Sequence, residues 1–464
     1  MRQIEDLCMK IIIIGCGQVG TTLAAQLSEE DHDVTIIDHK EHKIGKLTEE
    51  YDIMGYCGNG VSISTLSEAG IEDTDILIAV TESDEINLLC CLMAKKISHC
   101  HTIARVRNPI YNGETDFIKA QMGISMTINP EHATAMEIAQ LLRYPFAEKI
   151  DSFAKGKVQL VKIKITSKSP LSDTEIKDIS AKTGCEMLVC AIERGEDVII
   201  PGGFTRIKAG DTVSFVISND KLRDTVTKLG YKAKPVKTAM VVGGDTIAIY
   251  LTRMLSDSGI EVKIIEKDRE RCEALDEVLP EATIINGDGN DKHMLIEEGL
   301  ESVGAFVANT KIDEENIFLS MFARETSTAK LISKVHRLAF DNIIKALDIG
   351  SVIYPKYLTA DYIMQYVRAH QNSAGNNIST LYRLLDDKVE ALEFHVHDDS
   401  PVIGKPLMDL DLKKDLLICC IIRGDKVVIP GGQDCIEKGD SVIIVTLESG
   451  LHDIRDILSD KAKA

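Results

Sequence analysis

The chain contains no tryptophan and has a deficit of basic side chains, with 53 Lys and Arg residues against 73 Asp and Glu residues and a net charge of −20. A surface of this sign repels phosphate backbones, so we expect no nucleic-acid partner. No apolar run approaches the ~20 residues that a bilayer-crossing helix requires, and we therefore expect the chain to have no membrane span of its own.

Paired cysteine motifs are also missing. None of the twelve cysteines falls into a CxxC pair, and residues 1–8 are too polar and acidic for an export signal. We therefore expect reduced thiols and a cytoplasmic protein. With 44% hydrophobic and 27% charged residues, the chain has the composition of a globular protein, and its length of 464 residues suggests about three domains.

The most informative stretch is KIIIIGCGQVG at residues 10–20. Four β-branched residues predict a buried parallel strand, and the glycines follow it in the spacing GxGxxG before a helical pattern. A second apolar strand then ends at Asp38, close to the position of the acid that binds ribose in dinucleotide-binding βαβ units. The sequence thus predicts a nucleotide site formed by Gly15, Cys16, Gly17, Gln18, Val19, Gly20 and Asp38.

The chain also contains an internal repeat. Gly15 corresponds to Gly243, and Asp38 to Glu266, at an offset of 228 residues; Pro201-Gly-Gly corresponds to Pro430-Gly-Gly at an offset of 229. A nearly constant offset over this distance indicates a tandem duplication. In each copy, a βαβ-rich unit precedes short apolar strands separated by Gly-rich turns.

We therefore predict an α/β fold with two Rossmann-type, doubly wound parallel-sheet domains, each followed by a small β-rich α+β domain. The expected bounds are 9–130 for the first Rossmann domain, 131–150 for a connecting helix, 151–232 for the first β-rich domain, 237–355 for the second Rossmann domain, 356–388 for a connecting segment and 389–460 for the second β-rich domain.

This order of domains, together with IIGCGQVG, VTESDEIN at 80–87, IARV at 103–106 and INP at 128–130, resembles the TrkA family. That family comprises regulatory subunits of bacterial Trk potassium uptake and is built from tandem RCK (regulator of K⁺ conductance) domains, RCK-N followed by RCK-C. The resemblance covers about residues 9–460. It implies a peripheral protein on the inner face of the plasma membrane that self-associates into a dimer or tetramer ring and gates a membrane potassium-transport subunit.

The same resemblance implies NAD(H) or ATP/ADP as a regulatory ligand. Carried over by position, Thr81 would lie near the sugar or phosphate, and Arg105 would face the phosphate or a neighbouring subunit. From the residues alone, Thr81 and Asp84 are equally interpretable as helix caps, and Arg105 as half of a surface ion pair.

The second copy departs from the fingerprint. Asp245 occupies the position of Gly17, where a side chain and a negative charge oppose phosphate binding, and Ala248 occupies that of Gly20. Glu266 still suits a ribose. We therefore expect the first site to bind nucleotide more strongly than the second.

The alternative function is a nicotinamide-dependent oxidoreductase. Such an enzyme needs a proton donor and a substrate domain, and the β-rich segments offer no such constellation, so we expect no enzymatic activity. The pairs His99/His101 and His395/His397 lack evident further metal ligands, and Cys90-Cys91 lies in an apolar helical run typical of a core.

Overall fold

The architecture is described from a computed structural model. It covers residues 8–108, 111, 114–195, 197–230, 236–336, 344, 347, 349–373, 378–384, 389–397, 400–447, 451 and 453–459. The segment Lys232-Ala-Lys-Pro235, which the sequence suggests is a linker between the first β-rich domain and the second Rossmann domain, lies outside the described residues. The chain divides into two compact units, one joining Met1–Ala139 with Lys237–Val367 and the other joining Gln140–Val236 with Arg368–Ala464.

The first half of the chain supplies eleven strands in its described part. They are β1 (Lys10–Ile14), β2 (Asp33–Asp38), β3 (Met54–Cys57), β4 (Ile76–Ala79), β5 (His101–Arg105), β6 (Met126–Ile128), β7 (Lys149–Phe153), β8 (Val158–Lys164), β9 (Leu188–Arg194), β10 (Asp197–Ile199) and β11 (Thr212–Ser218). The α-helices described in the same half are α1 (Gln18–Glu29), α2 (Glu41–Glu50), α3 (Ile63–Glu68), α4 (Asp84–Ile97), α5 (Thr115–Met122), α6 (Pro130–Arg143), α7 (Ile179–Thr183) and α8 (Leu222–Lys228).

The second half repeats this order. Its described strands are β12 (Thr238–Val242), β13 (Glu261–Glu266), β14 (Thr283–Asn286), β15 (Ala305–Ala308), β16 (Lys330–Lys334), β17 (Ser351–Ile353), β18 (Ile378–Leu384), β19 (Val389–His395), β20 (Leu416–Arg423), β21 (Lys426–Val428) and β22 (Ser441–Thr446). Its described α-helices are α9 (Thr246–Asp257), α10 (Arg269–Val278), α11 (Lys292–Glu297), α12 (Asp313–Thr326) and α13 (Pro355–Ser373).

The first unit holds two six-stranded parallel sheets with the orders β3-β2-β1-β4-β5-β6 and β14-β13-β12-β15-β16-β17. Their order reverses between β1 and β4, and between β12 and β15, which creates the crevice where doubly wound folds bind ligands. The apolar strand β1 is buried as predicted, with Ile11 to Ile14 at most 2% exposed. The predicted pair of Rossmann domains is therefore confirmed.

The two sheets of this unit are tied together by the helices that leave them. Helix α13 follows the second sheet, yet its residues Ala360, Ile363, Met364 and Val367 pack into the core of the first sheet. The Tyr366 hydroxyl also lies 3.0 Å from Nδ1 of His101. From the other copy, Nδ2 of Asn129 donates to the Tyr250 hydroxyl at 3.0 Å. Each copy thus contributes to the packing of the other.

The second unit holds two five-stranded antiparallel sheets with the orders β10-β9-β11-β8-β7 and β18-β19-β22-β20-β21. Apolar residues of both sheets, including the fully buried Cys190 and Cys419, form one shared core. In the first of these domains, Arg194 makes two hydrogen bonds to the buried carboxylate of Asp211, at 2.9 and 2.7 Å. In the second, Arg423 binds Asp440 in the same way, which confirms the duplication of the β-rich domains.

Strands β7 and β18 are absent from the sequence prediction. β7 reads KIDSF, too short and too polar to show a strand period, and β18 lies within 356–388, which the sequence suggested was only a connection. Among the described residues, no helix is long and apolar enough to cross a bilayer.

Candidate nucleotide site

The glycine turn of the first sheet leads from β1 into α1. Gly15 has φ +111°, a conformation that side chains disfavour, and a Cβ on Gly20 would lie 1.9 Å from the Gly15 carbonyl oxygen. A Cβ on Gly17, in contrast, would meet nothing within 4 Å. Gly15 and Gly20 are thus required for the turn and for helix packing, whereas Gly17 leaves open space.

That open space lies at the N-terminus of α1. Gly17 is the N-cap residue, no side chain caps the helix, and its first turn carries no acid. Gln18 is exposed and Val19 buried, so the solvent side of this turn presents backbone rather than apolar surface. The first N–H groups of a helix lack intrahelical acceptors and favour an anion, most often a phosphate.

Asp38 holds the turn in place from the end of β2. Its Oδ2 accepts from the Cys16 amide at 2.7 Å and its Oδ1 from the Lys40 amide at 2.9 Å. Burial opposes the ionised form, but these amides and the nearby cations outweigh it and lower the pKa of Asp38, so the carboxylate is charged near neutral pH. Each carboxylate oxygen has a further lone pair with which to accept a ribose hydroxyl.

Thr81 and Arg105 meet at the same edge of the sheet. Nη2 of Arg105 donates to the Thr81 carbonyl oxygen at 2.7 Å, and a Cβ on Gly15 would lie 3.1 Å from the Thr81 amide. The buried Asn87 joins the two, since its Oδ1 accepts from the Thr81 amide at 2.8 Å and its Nδ2 donates to the Arg105 carbonyl at 2.9 Å. All the predicted residues of the first copy therefore lie together.

The guanidinium of Arg105 lacks a matching anion. Its buried Nε has no hydrogen-bond partner among the described residues, and no described carboxylate forms an ion pair with it. Burial, and then the charge of Arg107, lower the pKa of Arg105 by more than the carboxylates of Glu131, Asp84 and Glu82 raise it. A half-buried cation that forms no ion pair with a described carboxylate is a favourable place for a phosphate.

In the second sheet, the equivalent place is filled from within the chain. Lys334 corresponds to Arg105 of the first copy. Its side chain is 3% exposed, and its Nζ lies 2.7 Å from Oδ2 of Asp245. The Asp245 side chain also caps α9 by accepting from the Ala248 amide at 3.2 Å. Glu266 repeats the geometry of Asp38, since it accepts from the Gly244 and Asp268 amides at 2.8 and 2.9 Å.

Gly244, Asp245, Glu266 and Asp268 line a cavity of about 610 Å³. Its walls come from the carboxyl ends of β12, β13, β14 and β15 and from the loops that follow them. A volume of this size is within the range of small-molecule sites.

Some alternatives are now decided. Ser83, and not Thr81 or Asp84, is the N-cap of α4, because its Oγ accepts from the Ile86 amide; Asp84 Oδ2 instead accepts from the Arg107 and Asn108 amides. Sequence reasoning assigned no role to Asn87, although it connects Thr81 to Arg105. The residue types were a usable signal, since the repeat offset of 229 places Thr310 and Asn316 at the positions of Thr81 and Asn87, and they form the same amide contact at 2.8 Å.

The described residues also bear on reactivity and metals. Cys90 and Cys91 are fully buried, as predicted for core positions. Burial and Asp38 raise the pKa of the Cys16 thiol to about 12, so it is a neutral thiol and not a nucleophile. No group of three or more metal-binding side chains occurs in the part of the chain that is described, and the two histidine pairs gain no third ligand there.

Comparison with known proteins agrees with this architecture. The TrkA-N domain family matches residues 11–130 and 239–355, which together exceed half of the chain, and the TrkA-C domain family matches 160–230 and 391–459. The chain is 32% identical over 442 residues to the Trk system potassium uptake protein TrkA of Haemophilus influenzae, covering 94% of this chain and 95% of that protein. It is 31% identical over 454 residues to TrkA homolog 1 of Methanosarcina mazei, covering 96% and 99%.

Solved structures share the fold. The GsuK channel bound to NAD superposes with a TM-score of 0.63 at 15% identity, covering 95% of this chain and 77% of that one. The GsuK RCK domain superposes with a TM-score of 0.62 at 15% identity, covering 95% and 93%. The fold is thus that of a tandem RCK protein with two Rossmann-type domains. The chain belongs to the TrkA family of Trk system potassium uptake proteins.

Proposed function

We propose that this chain is the regulatory subunit of a Trk-type potassium uptake system, and that a nucleotide bound at the first Rossmann site controls the membrane subunit. The observation that carries the ligand proposal is that the N-terminus of α1 is open and uncapped, while Arg105 has an unpartnered Nε and forms no ion pair among the described residues. Membership of the TrkA family supports the role in potassium uptake, since the named relatives are potassium uptake proteins.

The ligand class follows from the charges around the turn. The N–H groups at the start of α1 and Arg105 would hold a phosphate or pyrophosphate, and Asp38 would accept the ribose hydroxyls. A carboxylate at that position repels a 2′-phosphate, so we propose NAD(H), ATP or ADP and not NADP. Thr81, whose carbonyl oxygen already binds Arg105, would border the sugar or phosphate.

The proposed action is binding that shifts a conformational equilibrium, without a chemical step. A ligand changes an equilibrium only by its differential affinity for the two states. Because helix α13 of the second copy packs on the sheet of the first, a change at the first site bears directly on the arrangement of the two sheets. Helices α6 and α13 continue from these sheets into the chain of the β-rich unit, which makes them the covalent route for transmission.

We further propose that copies of the chain assemble into a dimer or tetramer ring on the cytoplasmic face of the membrane, beside the transport subunit. The test is co-purification from detergent-solubilised native membranes with and without NADH, ATP and ADP. Recovery of a multi-spanning potassium-transport subunit, in amounts that change with nucleotide for the wild type but not for Asp38→Ala, supports the proposal. Failure to recover such a subunit under every nucleotide condition contradicts it and directs attention to hydride transfer.

A further inference from the structure

The two Rossmann sites differ in one respect that the geometry explains. Gly17 and Asp245 have nearly the same backbone, with φ −79° and ψ −176° for the first and φ −77° and ψ −171° for the second. Both are the N-cap residue of the helix that follows the turn. At this position the two sites therefore differ in the side chain and not in the backbone, and a carboxylate stands at 245 where the first copy has open space.

That carboxylate makes the contacts that a phosphate makes at a helix N-terminus. It accepts from the Ala248 amide, forms an ion pair with Lys334 and accepts from Nδ2 of Asn309 at 2.7 Å. Lys334 is almost fully buried, and among the described residues Asp245 is the carboxylate with which it forms an ion pair. The second copy therefore has a carboxylate, that of Asp245, at the helix N-terminus, where the first copy has Gly17 and no side chain.

We propose that Asp245 is an internal substitute for phosphate, and that the second cavity takes a nucleoside, which has a ribose but no phosphate at the helix N-terminus. Glu266 supplies the ribose acceptor with the same two amide contacts as Asp38. The cavity wall also includes Asn309, which is 1% exposed and whose Oδ1 has no hydrogen-bond partner among the described residues. The comparison of the two copies rests on the nucleotide site proposed above, but the exclusion of phosphate by Asp245 does not.

Exchanging the residues at positions 17 and 245 between the two copies tests whether Asp245 excludes phosphate. The measured quantity is the number of ADP molecules bound per full chain, determined by calorimetry. The wild type is expected to bind one ADP per chain. Asp245→Gly combined with Lys334→Arg recreates the Gly/Arg pair of the first copy and should raise the number to two. Gly17→Asp, which the open space accommodates, should pair with Arg105 and weaken ADP binding at the first site by roughly 150-fold, the scale of two lost charge-assisted hydrogen bonds.

Adenosine tests the ligand class. In the Asp38→Ala chain, where the first site is disabled, adenosine should bind at one site, and the added change Glu266→Ala should abolish that binding. Two ADP molecules on the wild type, or no more ADP on a folded Asp245→Gly/Lys334→Arg chain than on the wild type, would overturn the exclusion of phosphate. Absence of adenosine binding in the Asp38→Ala chain would overturn the nucleoside assignment.

Two controls separate the possible failures. If the double variant folds poorly by circular dichroism, Asp245→Gly alone removes the side chain and its charge and leaves Lys334 as the cation, and a second ADP site must then appear in that variant. If the wild type and Gly17→Asp both bind no ADP, the function proposed for the first site fails. In that case, one ADP bound by the Asp245→Gly/Lys334→Arg chain would still support the role of Asp245.

Discussion

Asp38→Ala is the sharpest test of the first nucleotide site. The substitution removes an acceptor for two ribose hydroxyls, and each charge-assisted hydrogen bond contributes about 1.5–3 kcal/mol. Because the carboxylate also accepts from two backbone amides, we take the lower value for each, which gives about 3 kcal/mol or roughly 150-fold weaker binding. The Cys16 and Lys40 amides also lose acceptors at 2.7 and 2.9 Å, so the glycine turn loosens and the loss can only increase.

The assay is a titration of NADH fluorescence, which is free of tryptophan background because the chain contains none. The matched control is Glu266→Ala, which removes the equivalent carboxylate from the second copy and the same pair of amide contacts. We expect the first variant to weaken NADH binding strongly and the second to leave it within a factor of about two to three. Equal losses in both variants would refute the ranking of the two sites.

Further predictions concern stability and the supports of the site. Gly20→Ala should destabilise the first Rossmann domain by about 1–3 kcal/mol, measured by thermal unfolding, because the added methyl group overpacks the turn. Gly17→Ala should not, because no atom lies within 4 Å of its new Cβ. Equal effects of the two variants would contradict the close packing of Gly20. Asn87→Ala should weaken NADH binding, because Asn87 orders Thr81 and Arg105. Asn316→Ala, its counterpart in the second copy, should leave NADH binding unchanged. Similar losses of affinity in both variants would contradict a specific role of Asn87 at the first site. Asp211→Asn should cost the β-rich unit about 1.5–3 kcal/mol at pH 7 by leaving Arg194 without its carboxylate.

The cost of Asp211→Asn should depend on pH in a defined direction. Burial alone would raise the pKa of Asp211, but the hydrogen bonds from Arg194 outweigh it and lower the pKa in the folded chain. A lowered folded pKa means that the stabilisation is complete above the unfolded value of about 4 and is lost as the pH falls through the folded value. The difference in unfolding free energy between wild type and variant, measured by urea denaturation, should therefore shrink below about pH 4, and an increase there would contradict the ion pair.

Much of the first copy was predictable from the sequence because its fingerprint is local. The turn glycines, the strand before them and Asp38 lie within 30 residues of one another. Their residue types and spacing together are typical of the dinucleotide-binding βαβ unit and of few other structures. The position of Asp38 against the Cys16 amide follows from that pattern. The duplication, visible as a constant offset, then carried the prediction to the second copy.

The remainder depended on contacts that are distant in the chain. The charge at Asp245 conflicts with a phosphate site when only its neighbours in sequence are considered. It is explained by Lys334, 89 residues away, which no local pattern connects to it. The packing of α13 on the first sheet is likewise a long-range contact, and the polar composition of β7 hides its strand character.

The most direct test of the account is potassium uptake into proteoliposomes that contain the Trk membrane subunit and this chain, with and without NADH, ADP or ATP. We predict that at least one nucleotide changes the rate about fivefold or more, the usual lower range of allosteric coupling. We also predict that Asp38→Ala abolishes the change while Glu266→Ala preserves it. An uptake rate that is independent of this chain, or a nucleotide response that is equal in the wild type and Asp38→Ala, would contradict the account.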